Sequence, residues 1–431
     1  MSQRERRRPA HGRRHAARRG GPPGYTIRMP VAQFSAADAS AALSVLIRNA
    51  DLHAPQALGR CQVLVGGGRV LWIGPDDAPA PQIPGLQTVN AGGRRLIPGL
   101  IDAHAHVTGG GGEGGFATRV PPVPPSRFTA AGVTSVVGVL GTDDLARSPG
   151  ELLAATYALR EHGLSAWAWC GGYHVPPVTL TGSVRGDIAY LDPMIGVGEL
   201  AISDHRSSQP TFDEFVRIAS EAHVAGLMSG KAGVLHLHLG DGPRGLALVR
   251  RALDETELPA RVFHPTHVNR RRGLFEEALD LARRGCWIDL TAFPVEEGED
   301  AWSAPDAWER YHAAGGPPER LTISSDAGGC LPTFDHEGRM CRMDVGSAAT
   351  LLETVRTLLA RGHALEAVLP AFTSNIARLL RLPGKGELRA GFDADLVLLD
   401  ADGHAADVMA GGVWHVRDGQ VLKPGLFETP G

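Results

Sequence analysis

In the segment "DAHAH", His104 and His106 stand two residues apart at the end of an apolar run. Alternate side chains of an extended chain share a face, so both imidazoles project from one side of a strand. Two imidazoles side by side suit a divalent cation. Three more ligand-type residues close later apolar runs: His238 in "HLHLGD", His267 in "PTHVN" and Asp326 in "SSDAGG". Converging on one point, such a set exceeds what a single zinc ion needs and points to two metals. His236 and His264 precede His238 and His267 in the same runs and read as core histidines or as groups behind the ligands. Glu199, in "IGVGELAISD", is a carboxylate inside an apolar run. A buried carboxylate is costly unless a cation or hydrogen-bond donors compensate it, so Glu199 requires a partner.

These residues need a frame that gathers strand ends. From about Pro98 onward, β-rich runs such as "TSVVGVLG", "SAWAWCGGYH", "GVLHLHLGD" and "CWIDLTAF" alternate with helical stretches such as "DEFVRIASEAHVAGLM" and "LFEEALDLARRG". About eight βα repeats in this length predict an α/β fold, a (β/α)8 barrel over residues 96–379, whose strand C-termini carry the active site. Short strand patterns flank it in "LSVLIRNADL" and "RCQVLVGGGRVLWIG", and in "DLVLLD" and "VWHVRDGQ". Residues 29–95 and 380–431 are therefore expected to form one small β-sandwich from both chain ends.

The 431-residue chain is 43% hydrophobic with a net charge of −4, enough for a sizeable core and without a global signal for nucleic acid. Residues 1–28, rich in Arg, Gly and Pro, read as a disordered basic tail. No run reaches the length of a membrane span and no signal-type apolar region follows the tail, so a cytoplasmic protein without membrane partners is expected. Cys61, Cys170, Cys286, Cys330 and Cys341 are odd in number and form no CxxC pair, which speaks for free thiols in a reducing compartment.

At "PGLIDAHAHVTGGGGEGG" the chain resembles the amidohydrolase superfamily, and within it the isoaspartyl (β-aspartyl) dipeptidases. The resemblance continues through "GGYHVP", "TGSV", "AISDHRS", "HLGD", "PTHVNR", "SSD" and "GKGELRAGFDADLVLLD". It implies a homo-oligomeric hydrolase with two Zn²⁺, or another divalent metal, acting on small β-aspartyl dipeptides. It implies that His104 and His106 bind one zinc, His238 and His267 the other, and that Asp326 binds the first and exchanges protons with a bridging hydroxide nucleophile. Tyr173 would donate to the oxyanion. Glu113, assisted by Gly111 and Thr142, would take the substrate amine, and Arg206 and Arg270 its carboxylates. Such a substrate carries one amine and two carboxylates, which an anion and two guanidinium forks complement.

The chain departs from that pattern twice. The resemblance implies a carboxylated lysine bridging both metals where this chain has Glu199. A glutamate carboxyl lies about three bond lengths nearer the backbone, yet carries the same charge, so Glu199 is expected to bridge the metals after a small shift of strand or ions. Cys330 replaces a substrate-touching serine and is a poorer hydrogen-bond donor. Other readings are a cyclic amidohydrolase of the dihydroorotase or hydantoinase kind, an N-acyl-amino-acid deacylase, a non-catalytic amidohydrolase-like scaffold, and nucleic-acid binding through the tail.

Overall fold

The computed structural model describes residues 44–334 and 340–428; the basic segment 1–28 and the first part of the expected 29–95 sheet region lie outside the described residues. The alternating runs form eight parallel strands: β1 (Leu100–Ala105), β2 (Val133–Gly138), β3 (Ser165–Cys170), β4 (Met194–Ile202), β5 (Val234–Leu239), β6 (Phe263–Thr266), β7 (Ile288–Thr291) and β8 (Leu321–Ser324). The first six make one sheet in chain order and β7 pairs with β8. Backbone bonds bridge the gaps: Trp287 N to Phe263 O at 3.1 Å, and Asp326 N to His104 O at 3.1 Å. The result is the expected α/β barrel, β4 being buried along its whole length because both faces of a parallel sheet are covered.

Helices follow each strand and cover the outer face. After β4, Phe212–Ser229 begins at a capping box in which Thr211 and Glu214 satisfy each other's backbone amides. After β2, Pro149–His162 starts behind the N-cap Ser148 and stops at left-handed Gly163. The barrel interior below the mouth is packed by Ile101, Ala103, Val137, Trp169, Ile195, Val234 and Trp287.

Strands from both ends of the chain join a single nine-stranded sheet, in which Leu396–Leu399 pairs antiparallel with Arg95–Pro98. "LIPGLIDAHAH", read as one run, is thus divided: Arg95–Pro98 belongs to this sheet, past the expected boundary at residue 95, and the barrel strand starts after Gly99. Its own core includes Ile47, Leu52, Val63, Val65, Leu96, Leu396 and Met409. Lys385, buried, bonds Asp393 at 2.7 Å and also Asp395 and Ser165, tying this sheet to the start of β3. A hairpin of Cys330–Phe334 and Met340–Val345, not foreseen from the sequence, follows β8. Among the described residues no helix is long and apolar enough to cross a membrane.

Candidate metal centre and substrate site

The mouth of the barrel is held by strand-end contacts. Buried Asp102 accepts from the backbone amides of His104 (3.3 Å) and Ser325 (3.2 Å), which pins the end of β1 to that of β8. His267 and Asp326, just past β6 and β8, adopt left-handed backbone with φ of 59° and 54°. For non-glycine residues this costs about 1–3 kcal/mol each and persists where surrounding structure imposes it, often at functional sites. Gly141 is needed for space: a Cβ there would sit 2.5 Å from the His106 ring.

Glu199, near the end of β4 and fully buried, is the hub. Its carboxylate lies 3.6 Å from His104 Nε2, 3.5 Å from His106 Nε2, 3.2 Å from His238 Nδ1 and 3.6 Å from His267 Nε2. Asp326 Oδ1 lies 3.4 Å from His104 Nε2 and 3.1 Å from His106 Nε2. The barrel thus brings all six expected ligands together. Their donor atoms form two groups compact enough for one ion each, His104 with His106 and Asp326, and His104 with Glu199 and His267. His238 falls outside the second group, because its ring is held by Asp204 and Tyr173.

Three buried atoms at this centre, His104 Nε2, Glu199 Oε1 and Asp326 Oδ1, have no hydrogen-bond partner. Buried polar atoms are ordinarily satisfied, and lone pairs of nitrogen and oxygen converging in this way are what a divalent cation supplies with partners. The donor set therefore fits a metal. The charges respond to one another accordingly. Burial pushes the His104 imidazolium down, but Glu199 and Asp326 outweigh it and raise it to about 9. Burial raises Glu199, but the surrounding imidazoles prevail and hold it well below the usual carboxylate range. Asp326 is likewise kept ionised by His104 and His106 against the effect of burial. His267 has no such excess of anions, and burial lowers it to about 4.

Around this hub lies a polar rim. Tyr173 Oη is 2.7 Å from His238 Nδ1, and burial, then the Glu199 charge, raises its pKa well above the ordinary phenol value. Glu113 accepts from Thr142 Oγ1 (3.1 Å) and from Arg206 Nη1 (3.2 Å), and touches Cys330 Sγ at 3.3 Å. Burial and Glu113 push the Cys330 thiol up to about 12, so it remains protonated. Gly111 is left-handed, and a Cβ there would meet Thr118 O at 2.6 Å, so its role is to let the Glu113 loop turn tightly. Arg270 stands apart from this rim cluster, bonded to Leu239 O (2.9 Å) and Asp241 (2.9 Å).

Two features were missed from the sequence. Asp204, 5% exposed, grips Arg206 with both oxygens (3.1 and 2.8 Å) and accepts from His238 Nε2 at 2.9 Å. It turns His238 Nδ1 toward Glu199, as a carboxylate orients a metal-binding imidazole through its far nitrogen. Its signal was its place in "SDHRS", two residues before Arg206. Buried Arg147 bonds Asp143 (3.0 Å), Thr108 O (3.1 Å) and Val120 O (2.8 Å), clamping the loop that carries Glu113 to the one that carries Thr142. No local pattern around Arg147 announces this.

No protein-family model matches the chain. The crystal structure of a β-aspartyl dipeptidase from Fervidobacterium islandicum AW-1 in complex with β-Asp-Leu dipeptide is 41% identical, with a TM-score of 0.85, over 90% of this chain and 99% of that one. An imidazolonepropionase from Salinispora arenicola is 30% identical over 84% of this chain and 91% of its own length. An adenine deaminase from Paracoccus denitrificans matches at 42% identity over only 73 residues, 12% of its length. A D-hydantoinase from a Thermus species shares the fold, with a TM-score of 0.62 at 17% identity over 88% of this chain and 96% of that one. With the barrel and its mouth of imidazoles and carboxylates, these likenesses define a hydrolase of the amidohydrolase superfamily. Within it, the chain belongs to the β-aspartyl dipeptidase family.

Proposed function

We propose that the chain is a binuclear zinc dipeptidase that hydrolyses β-aspartyl dipeptides. The observation that carries this reading is the Glu113, Thr142, Arg206 and Cys330 cluster beside the imidazole and carboxylate hub. In the proposal His104, His106 and Asp326 would hold one ion and His238 and His267 the other, with Glu199 adding its carboxylate to the set. When bound, the two cations activate water for attack and polarise the scissile carbonyl.

The chain's own groups do the rest. Asp326, ionised at neutral pH, takes a proton from the attacking water and returns it to the leaving amine. Tyr173 keeps its proton because its phenolate is disfavoured, and donates a hydrogen bond to the developing oxyanion. Glu113 receives the substrate's α-ammonium, with Thr142 and Gly111 fixing its loop. Arg206 and Arg270 take the carboxylates. Asp241, the present partner of Arg270, is 70% exposed, and so exposed a pair contributes little and yields readily to a substrate carboxylate. Cys330 borders the amine pocket as a neutral thiol. The same proposal places the enzyme in the cytoplasm as a homo-oligomer, with neither nucleic acid nor membrane as partner.

A cyclic amidohydrolase is the second reading, favoured by the similarity to an imidazolonepropionase over 84% of this chain. A neutral cyclic amide has no use for an anion flanked by guanidinium forks. Zinc-loaded protein assayed on β-Asp-Leu, dihydroorotate, hydantoin and N-acetyl amino acids separates the readings: turnover confined to β-Asp-Leu supports the dipeptidase, and turnover of a cyclic amide without β-Asp-Leu overturns it.

A further inference from the structure

Behind His104 a line of fully buried polar groups crosses the barrel interior. His104 Nδ1 lies 2.8 Å from His236 Nε2, and His236 Nδ1 lies 2.9 Å from His264 Nδ1 and 3.1 Å from His264 O. His264 Nε2 lies 2.9 Å from Thr322 Oγ1, which donates to Asp289 Oδ1 at 2.6 Å. Asp289 also accepts from Thr266 Oγ1 at 2.7 Å and from Ser324 Oγ. His104, His236, His264, Thr322 and Asp289 are all 0% exposed, and Trp169 stacks on the His236 ring at 4.8 Å.

The hydrogen bonds in this line can run in one direction. Burial raises the Asp289 pKa above the ordinary carboxylate value and the three hydroxyls oppose it; with all three donating to its oxygens, Asp289 acts here as the acceptor. Thr322 Oγ1 lies 2.6 Å from Asp289 Oδ1 and 3.2 Å from Ile288 O, so its single proton goes to the nearer carboxylate and its oxygen accepts from His264 Nε2–H. The Asp289 carboxylate lies 4.0 Å from His264 Nε2, but burial prevails and keeps the imidazole neutral, which leaves His264 Nδ1 bare to accept from His236 Nδ1–H. By the same step His236 Nε2 is bare and accepts from His104 Nδ1–H. With Nδ1 committed as a donor, Nε2 is the nitrogen left to give up its proton and offer a lone pair, and this is the unpartnered atom that faces Glu199 and Asp326.

We propose that Asp289, acting through Thr322, His264 and His236, fixes His104 as its Nδ1-protonated tautomer and so holds the Nε2 lone pair on the metal. These four are positioning residues on β7, β8, β6 and β5, and they set the metal affinity of a fifth strand, β1. A carboxylate commonly orients a metal-binding histidine directly; here the orienting charge is relayed through two imidazoles and a hydroxyl. The proposal rests on the metal reading of the site.

The test measures zinc affinity of the full-length apoprotein by competition with a chromophoric chelator, together with its thermal midpoint. Thr322→Val keeps the shape and removes the hydroxyl; Thr322→Ser keeps the hydroxyl. Thr322→Val and Asp289→Asn are expected to weaken zinc binding by about 10- to 100-fold, and Thr322→Ser by less than about twofold, with apoprotein midpoints close to wild type. Wild-type affinity in Thr322→Val, or equal losses in the Val and Ser variants, overturns the relay. If Asp289→Asn does not fold, the Thr322 pair decides alone. Wild-type protein that binds no zinc at all overturns the metal reading, and the relay with it, a result distinct from a relay failure.

Discussion

Glu199→Gln is the sharpest perturbation of the centre, because it removes one charge and leaves the shape. The Glu199 carboxylate lies 3.2–3.6 Å from four imidazole nitrogens that surround the proposed metal position. At 3.6 Å and an effective dielectric of about 20, one pair of unit charges is worth about 4–5 kcal/mol, and a divalent ion feels more than a unit charge. Desolvation of the carboxylate is already met by the folded protein, so most of this stabilisation is lost in the variant. At about 1.4 kcal/mol per tenfold, affinity is expected to fall by at least about 1000-fold for the ion that Glu199 touches. Emission spectrometry after dialysis, with chelator competition, reads both stoichiometry and affinity. Because Glu199 needs no CO2, metal loading of the wild type is also expected to be equal with and without bicarbonate. A variant that keeps both ions within tenfold of wild-type affinity, or a wild type that loads only with bicarbonate, refutes the reasoning.

Three further outcomes are expected. Asp204→Asn frees the His238 ring and should lower kcat/KM on β-Asp-Leu by about 10- to 100-fold with the apoprotein fold intact by circular dichroism. Glu113→Gln removes the charge that meets the substrate amine, a charged hydrogen bond of about 1.5–3 kcal/mol, and should reduce kcat/KM by about 10- to 100-fold while zinc content is unchanged. In the metal-free protein His104 is raised to about 9, so below that pH an incoming ion must displace its proton. Apparent zinc affinity should therefore climb by up to about tenfold per pH unit toward 9 and then flatten, which isothermal titration across pH 6–10 measures; affinity that falls with pH in this window contradicts it.

Most of the fold could be read because buried parallel strands announce themselves as apolar runs and their polar ends as a site. The six expected ligands came from that rule together with the family resemblance, and the barrel gathers them. What the sequence concealed depends on contacts between distant strands. Asp289 sits in the apolar run "CWIDLTAF" much as Glu199 sits in "IGVGELAISD", yet only Glu199 was singled out, since the hydroxyls that satisfy Asp289 come from β6 and β8. His236 and His264 were read as core or supporting groups, but their direct contact, 28 residues apart in the chain, follows from the barrel register of β5 and β6. The division of "LIPGLIDAHAH" at Gly99 depends on pairing with Leu396–Leu399 near the other chain end, which no local pattern encodes.

The most direct measurement is amino-acid release from β-Asp-Leu by the full-length protein, zinc-loaded and then stripped with chelator. The prediction is equimolar aspartate and leucine from the loaded form, none from the stripped form, and recovery when zinc is returned. Absence of leucine release at any metal loading, or release that survives complete metal removal, would contradict it.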